Sequence, residues 1–194
     1  MSLRLSTTSA AVGKDHTVLL FSPESLSFQD NQYIYTMGSD KHGQKCTAAP
    51  YTHSEGWNII SVKDLLASLT LHDDYRPVSV HCTWNGTYIL VKNETDSKVI
   101  SYGANGFGQL GHDDSTSIVN LPNTQSIACG SEHVLATVLN EGVIEVWGWG
   151  WNEHGNLGHL RFPHSVKPEK LWSGAEGQEV KVFAGNGTSW IAVS

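Results

Sequence analysis

The side chains able to do chemistry in this 194-residue chain are ten histidines and three cysteines, scattered among glycine-rich turns. Cys46, Cys82 and Cys129 lie 36 and 47 residues apart. No C-x-x-C pair offers a chelate or a redox couple, so the three read as small buried hydrophobes. His154, His159 and His164 recur at i, i+5 and i+10, which matches neither the i, i+4 spacing of a helical zinc site nor a finger. Gly103-Ala-Asn-Gly-Phe-Gly resembles a phosphate cradle. A dinucleotide site, however, needs a βαβ unit with a helix opening behind the glycines, and no such unit follows. G-x-S-x-G, H-E-x-x-H, a P-loop and paired carboxylates do not stand out either. The expectation is a chain with no catalytic residues, no metal and no cofactor, and therefore not an enzyme.

Composition narrows the remaining classes. Charged residues supply 16% of the chain against about 25% in an average domain, while glycine occupies 19 positions and tryptophan seven. Turn and packing residues in such proportion argue against disorder and against a long helical bundle. The formal net charge is −7 and no basic run occurs, so direct nucleic-acid binding is a poor expectation. The first residues lack the apolar stretch of a signal peptide, and nowhere do 18 apolar residues follow one another. A soluble, intracellular chain without a membrane segment is expected. Read in that compartment, the sequons at Asn85, Asn93 and Asn186 are coincidences of a turn-rich sequence.

What must position any site is a repeat. One element, a small or apolar pair, then Gly, two variable residues, a polar residue and an apolar strand, appears at 10–20, 80–90, 127–137 and 183–193, with Thr83 in the Gly position of the second. A second, a β-rich run ending in Gly with a polar turn and a further Gly, appears at 33–46, 99–111 and 146–158. Registered on Gly13, Thr83, Gly130 and Gly185, the first element steps by 70, 47 and 55 residues; registered on Gly38, Gly103 and Gly150, the second steps by 65 and 47. Alternating apolar residues such as Ile100 and Tyr102, or those from Val143 to Trp149, predict half-buried antiparallel strands. Residues 61–71 place Val62, Leu65, Leu66 and Leu69 at helical spacing behind an N-cap Ser61 with Asp64 three residues on, which predicts a short inserted helix and explains the long first step. Repeating β units of this length are the blades of a propeller, each burying its faces only against its neighbours. The fold class expected is all-β: an incomplete propeller with units at about 10–78, 79–125, 126–180 and, in part, 181–194.

The segments SYGANGFGQLG and GWGWNEHGNLG, with their G-x-x-H-x-x-x companions, resemble the repeats of the regulator of chromosome condensation family. That resemblance implies a seven-bladed propeller, of which three units and a strand pair make about half. Either the chain is part of a longer ring, or it is a half-propeller whose open edges self-associate or pair with another chain. The later segments CTWNGTYIL, ACGSEHVLATV, VWGWGWNEHGNLG and VFAGNGTSWIAVS are similar to the alpha-tubulin suppressor branch of that family in fungi. The resemblance implies a regulator, cytoplasmic and nuclear, that pairs with a small zinc-binding protein serving diphthamide synthesis and the Elongator complex of tRNA wobble-uridine modification. The family's founding activity implies an alternative, guanine-nucleotide exchange on a small GTPase.

The repeat also sorts scaffold from surface, because a residue type recurring in register serves the fold. His16 and His133 share a slot filled elsewhere by Gly86 and Thr188, and read as buried structural histidines bonded to backbone. Gly103, Gly108 and Gly111, with Gly150, Gly155 and Gly158 in register, predict positive φ or close backbone approach. Trp147, Trp149 and Trp190 align with bulky slots and are expected in the core. Trp151 and Trp84 instead fall where the other units carry Ala104 and Ser39, or Lys14, Ser131 and Asn186. An indole in a small or polar slot is the anchor expected of a protein interface. Register then predicts that Lys14 and Asp15, Trp84 and Asn85, Ser131 and Glu132, and Asn186 and Gly187 line an arc of one face. Trp151, Glu153 and His154 offer a second surface on an unassigned rim. The candidate partner-binding residues are thus Trp84, Trp151, Lys14, Asp15, Asn85, Glu132, Glu153 and His154.

Overall fold

Short apolar runs punctuated by glycine and asparagine fold back on themselves as antiparallel meanders. The computed structural model describes residues 5–23, 32–46, 56–112 and 117–194. The first sheet has the order β1 (Leu5–Val12), β2 (His16–Pro23), β3 (Tyr33–Gly38), β4 (Asn58–Ser61). Helix α1 (Val62–Ser68) follows. The second sheet runs β5 (Arg76–Cys82), β6 (Gly86–Lys92), β7 (Ser97–Gly103), β8 (Ile118–Val119), and the third β9 (Thr124–Cys129), β10 (His133–Asn140), β11 (Val143–Trp151), β12 (His164–Ser173). A two-stranded sheet, β13 (Val180–Ala184) with β14 (Ser189–Val193), closes the chain. Among the described residues this is an all-β partial propeller with one short helix. Ser61 caps α1 as the sequence predicts, its hydroxyl accepting the Asp64 N–H at 3.4 Å, and Val62, Leu65 and Leu66 turn inward.

Each interface between neighbouring sheets holds its own core. Val18, Leu20 and Ile34 of the first sheet meet Val80, Ile89, Val91 and Ile100 of the second, with α1 covering one side. Tyr88, Leu90 and Val99 meet Ile127, Val134, Ala136 and Trp149. Leu135 and Val146 meet Val182. A blade between two others is covered on both faces, so Tyr88, Ile89, Leu90 and Val91 in β6 are all buried. In the middle strands β6 and β10 a nearly continuous buried run replaces the alternation expected of half-buried strands, as in sheets covered on both sides, whereas β3 keeps it, with Ile34 and Thr36 buried between half-buried Tyr33 and Tyr35.

Trp190 corrects the sequence reading. It was expected in the core with Trp147 and Trp149, and Trp149 is indeed sealed while Trp147 is half-buried, but Trp190 is 67% exposed. It pairs across the strands with Phe183, also exposed, on the side of β13–β14 facing away from the third sheet. No blade among the described residues covers that side. The outward side of the first sheet is likewise open, with Val12, Met37, Trp57 and Ile59 exposed beside the Phe21–Tyr35–Trp57 ring contacts.

The histidine slot is an inter-blade pin. His16 Nε2 lies 3.0 Å from the Thr87 hydroxyl, and His133 Nε2 lies 3.0 Å from that of Ser189. Both rings are buried and bonded to backbone as expected, at Gly86 for His16 and at Thr188 for His133, and each also meets a hydroxyl of the next blade. Where the slot holds Gly86, the following blade offers Val134, which has no hydroxyl to bond. The slot three residues earlier is complementary: a Cβ on Gly13 or Gly130 would come within 2.1 or 2.3 Å of the imidazole, while Thr83 stands opposite Gly86. Burial lowers the pKa of both imidazoles, that of His133 to about 4.

Candidate protein-docking face

In a meander, the turn between the first and second strands and the loop between the third and fourth lie at the same end. Both candidate surfaces therefore share one end of the blades. The first-to-second turns are tied into an arc by backbone hydrogen bonds: Lys14 N–H to Trp84 O at 2.9 Å, Trp84 N–H to Ser131 O at 2.8 Å, Ser131 N–H to Gly185 O at 3.3 Å. The third-to-fourth loops dock on the same turns, with Ser39, Ala104 and Trp151 N–H donating to Asp15, Asn85 and Glu132 O at 2.7, 2.9 and 2.8 Å. Gly38, Gly103 and Gly150 permit that approach, since a Cβ there would meet those carbonyl oxygens within 2.5 Å and all three have positive φ. Gly108, Gly111, Gly155 and Gly158 are also left-handed, as the register predicts.

The loops are held from inside by residues the sequence reading passed over. Asp40, Asn105 and Asn152, two positions after those glycines, accept the backbone N–H of Lys45, Leu110 and Leu157 at 2.8, 3.0 and 2.8 Å. Asn152 also donates to His159 O at 2.8 Å and Phe162 O at 2.9 Å. Gln109 accepts the Phe107 N–H at 2.8 Å, and its carbonyl accepts from Tyr88 Oη at 2.6 Å and Trp149 Nε1 at 2.8 Å. Recurrence in register was the available signal: polar residues that repeat with the glycines staple the loops.

What these loops present is aromatic. Trp84 is 45% exposed, and Lys14 Nζ stands 5.9 Å from its ring centroid. Trp151 is half-buried in a row, its ring 6.4 Å from Phe107 and edge-on to His154 at 4.8 Å. Phe107 is 40% exposed, and Leu160 and Phe162, in the loop following β11 at the same end, are 78% and 62% exposed. Sequence reasoning missed all three; His42, Phe107 and His154 share one slot, which could have flagged the second of them. Lys14, Asp15, Glu153 and His154 are exposed, and Asn85 is half-buried. Glu132 is half-buried and fixed, accepting from Asn85 Nδ2 at 3.3 Å and Gln109 Nε2 at 2.6 Å. Cys82 and Cys129 end the inner strands β5 and β9 beside this arc; all three cysteines are free, and burial pushes their thiols up, that of Cys82 to about 12. No group of three or more metal-ligating side chains occurs among the described residues.

Comparison with known proteins places one unit. Residues 96–137 match the family model of the regulator of chromosome condensation (RCC1) repeat. The matched stretch runs from β7 through β10, across the second-to-third sheet junction that carries Phe107 and Glu132. The chain is 32% identical over 134 residues to the ultraviolet-B receptor UVR8 of Arabidopsis thaliana, across 65% of this chain and 29% of the receptor. It is 28% identical over 165 residues to the secretion-regulating guanine nucleotide exchange factor of Bos taurus, across 73% and 32%. It thus spans about a third of the length of these relatives. The crystal structure of human WBSCR16 superposes with a TM-score of 0.64 at 24% identity over 95% of this chain and 45% of that one, a likeness of fold. No helix among the described residues is long and apolar enough to cross a membrane.

Proposed function

We propose that the protein is a non-catalytic, protein-binding regulator that docks its partner on the end of the blades carrying Trp84, Phe107 and Trp151. The observation that carries this reading is the gathering of exposed aromatic and aliphatic side chains on loops fixed by inter-blade hydrogen bonds. Rigid aromatic anchors give the most binding free energy for the least ordering cost, and a surface of this kind otherwise only lowers solubility. The partner proposed is a small zinc-binding protein of the diphthamide and Elongator pathways, with the regulator acting in the cytoplasm and nucleus. Similarity of the later repeats to the fungal alpha-tubulin suppressor branch supports that choice. Capture of the zinc protein by wild type, Trp84→Ala and Trp151→Ala tests it. Loss of capture in at least one variant is expected, and undiminished capture by both would remove the site.

A second reading, guanine-nucleotide exchange on a small GTPase, is favoured by the relatives named as secretion-regulating exchange factors in Bos taurus and Mus musculus. Acceleration of fluorescent-nucleotide release from a small GTPase by this chain would place exchange ahead of the adaptor reading.

A further inference from the structure

The strand pair β13–β14 repeats the first two strands of the sheets before it, and the seat of a third strand stands open beside it. In the second sheet the second and third strands set Thr87 opposite Tyr102 and Ile89 opposite Ile100. In the third sheet they set Val134 opposite Trp149 and Ala136 opposite Trp147. Among the described residues β14 pairs only with β13, so no strand lies along its other edge. The side chain that such a strand carries also has a ready place. At Gly111 a Cβ would stand 2.8 Å from Trp149 Nε1, which donates to the Gln109 carbonyl at 2.8 Å. Gly158 holds the same slot one blade on, with φ of 76° against 75°, yet nothing described lies within 4 Å of where its Cβ would be. There a cleft of about 400 Å³ opens between the third sheet and β14, walled by Leu135, Leu157, Leu171 and Ile191. Asn156, in the slot of Gln109, also lines it; the residue is 3% exposed and its Oδ1 accepts no hydrogen bond among the described residues.

Independently of the docking reading, we infer that this cleft and edge take an extended segment of another polypeptide, added antiparallel to β14, with the pattern bulky–x–aromatic–Gly. The aromatic ring lies over Gly158, opposite Ser189, with its donor directed to Asn156. The bulky residue lies opposite Ile191 and the glycine opposite Thr188. The chain carries that pattern itself, as Ile100-Ser101-Tyr102-Gly103 and Trp147-Gly148-Trp149-Gly150. Those strands, β7 and β11, are paired on both edges within their own sheets, so a second copy cannot lend one without opening a blade. In such an addition the backbone ladder supplies affinity, and the alternate side chains in their pockets supply selectivity.

The probe is a lysine-flanked peptide copying residues 143–151, compared with the same peptide carrying Trp149→Ala. Titration calorimetry measures affinity, and backbone amide resonances locate the peptide. Gly158→Asn places a side chain where the ring must lie; asparagine accepts left-handed backbone, and Cys46 occupies the same slot with φ of 58°. Ile191→Asp, at a position 38% exposed, sets a charge beneath the added strand and decides the matter if Gly158→Asn melts early. We expect saturable one-to-one binding to wild type that shifts the amides of 157–158 and 188–191. Trp149→Ala in the peptide, and each protein variant with an unchanged melting temperature, should weaken binding at least about tenfold. Absence of saturable binding, equal affinity of the two peptides, or shifts confined to the edges β1, β5 or β8 would overturn the inference.

Discussion

Lowering the pH should loosen the joint between the third sheet and β13–β14 through a single side chain. His133 is fully buried, its Nε2 faces the Ser189 hydroxyl at 3.0 Å, and its Nδ1 faces Asn156 Nδ2 at 3.3 Å. Burial lowers its pKa to about 4 from the ordinary 6.5. The folded state therefore holds the neutral imidazole while the unfolded chain takes up a proton. This contribution to stability is complete above pH 6.5 and is lost progressively as the pH falls from 6.5 to 4. At pH 4.5 the loss is on the order of 2–3 kcal/mol from this group alone. In urea, with a slope of about 2 kcal/mol per molar, that moves the midpoint down by roughly 1 M. Tryptophan fluorescence during urea unfolding at pH 7 and pH 4.5, in wild type and His133→Asn, separates this term from the carboxylates and from His16 and His81. The variant is less stable at pH 7, yet its midpoint should change less with pH than that of wild type. An identical pH dependence in the two proteins would refute the buried neutral pin.

Other consequences follow from the same geometry. Gly130→Thr should destabilise by about 2 kcal/mol or more, because a Cβ there would stand 2.3 Å from the His133 ring. Gly130→Thr/His133→Gly, which copies Thr83 with Gly86, should recover over 1 kcal/mol relative to additivity in a double-mutant cycle. Asn152→Ala removes three hydrogen bonds that hold the loop after β11, and thermal melting should show a loss of about 2–4 kcal/mol. Trp84→Ala, at an exposed position, should stay within about 1 kcal/mol of wild type in the same assay, so that any loss of partner capture reports the interface. In the native protein at pH 8, Ellman's reagent should label Cys82 far more slowly than in urea, since its thiol is held up to about 12; labelling at equal rates would show the inner strands to be open.

The repeat was legible because each blade reuses the same backbone solution. Gly38, Gly103 and Gly150 must let a neighbouring carbonyl approach, so they recur in register and reveal the blades before any strand is assigned. The helix was legible for a local reason, the Ser61 cap before Leu65 and Leu66. Less visible was anything depending on which blade follows. Aligning Trp190 with Tyr88 and Leu135 shows that its slot is bulky, but burial requires a sheet on the far side, and the described residues supply none there. The partners of His16 and His133 were hidden for the same reason, being hydroxyls 71 and 56 residues away. At the candidate site, the odd indoles were found by comparing slots. Phe107, Leu160 and Phe162 were not, because a single loop shows neither which end of a blade it occupies nor what lies beside it.

Hydrogen–deuterium exchange of the chain with and without the small zinc-binding protein tests the docking end most directly. Protection should appear in the loops at 13–15, 83–85, 104–108, 131–132 and 151–162, leaving the opposite turns at 93–96 and 141–142 unchanged. Protection confined to those opposite turns, or absent from the whole chain at saturating partner, would contradict the account.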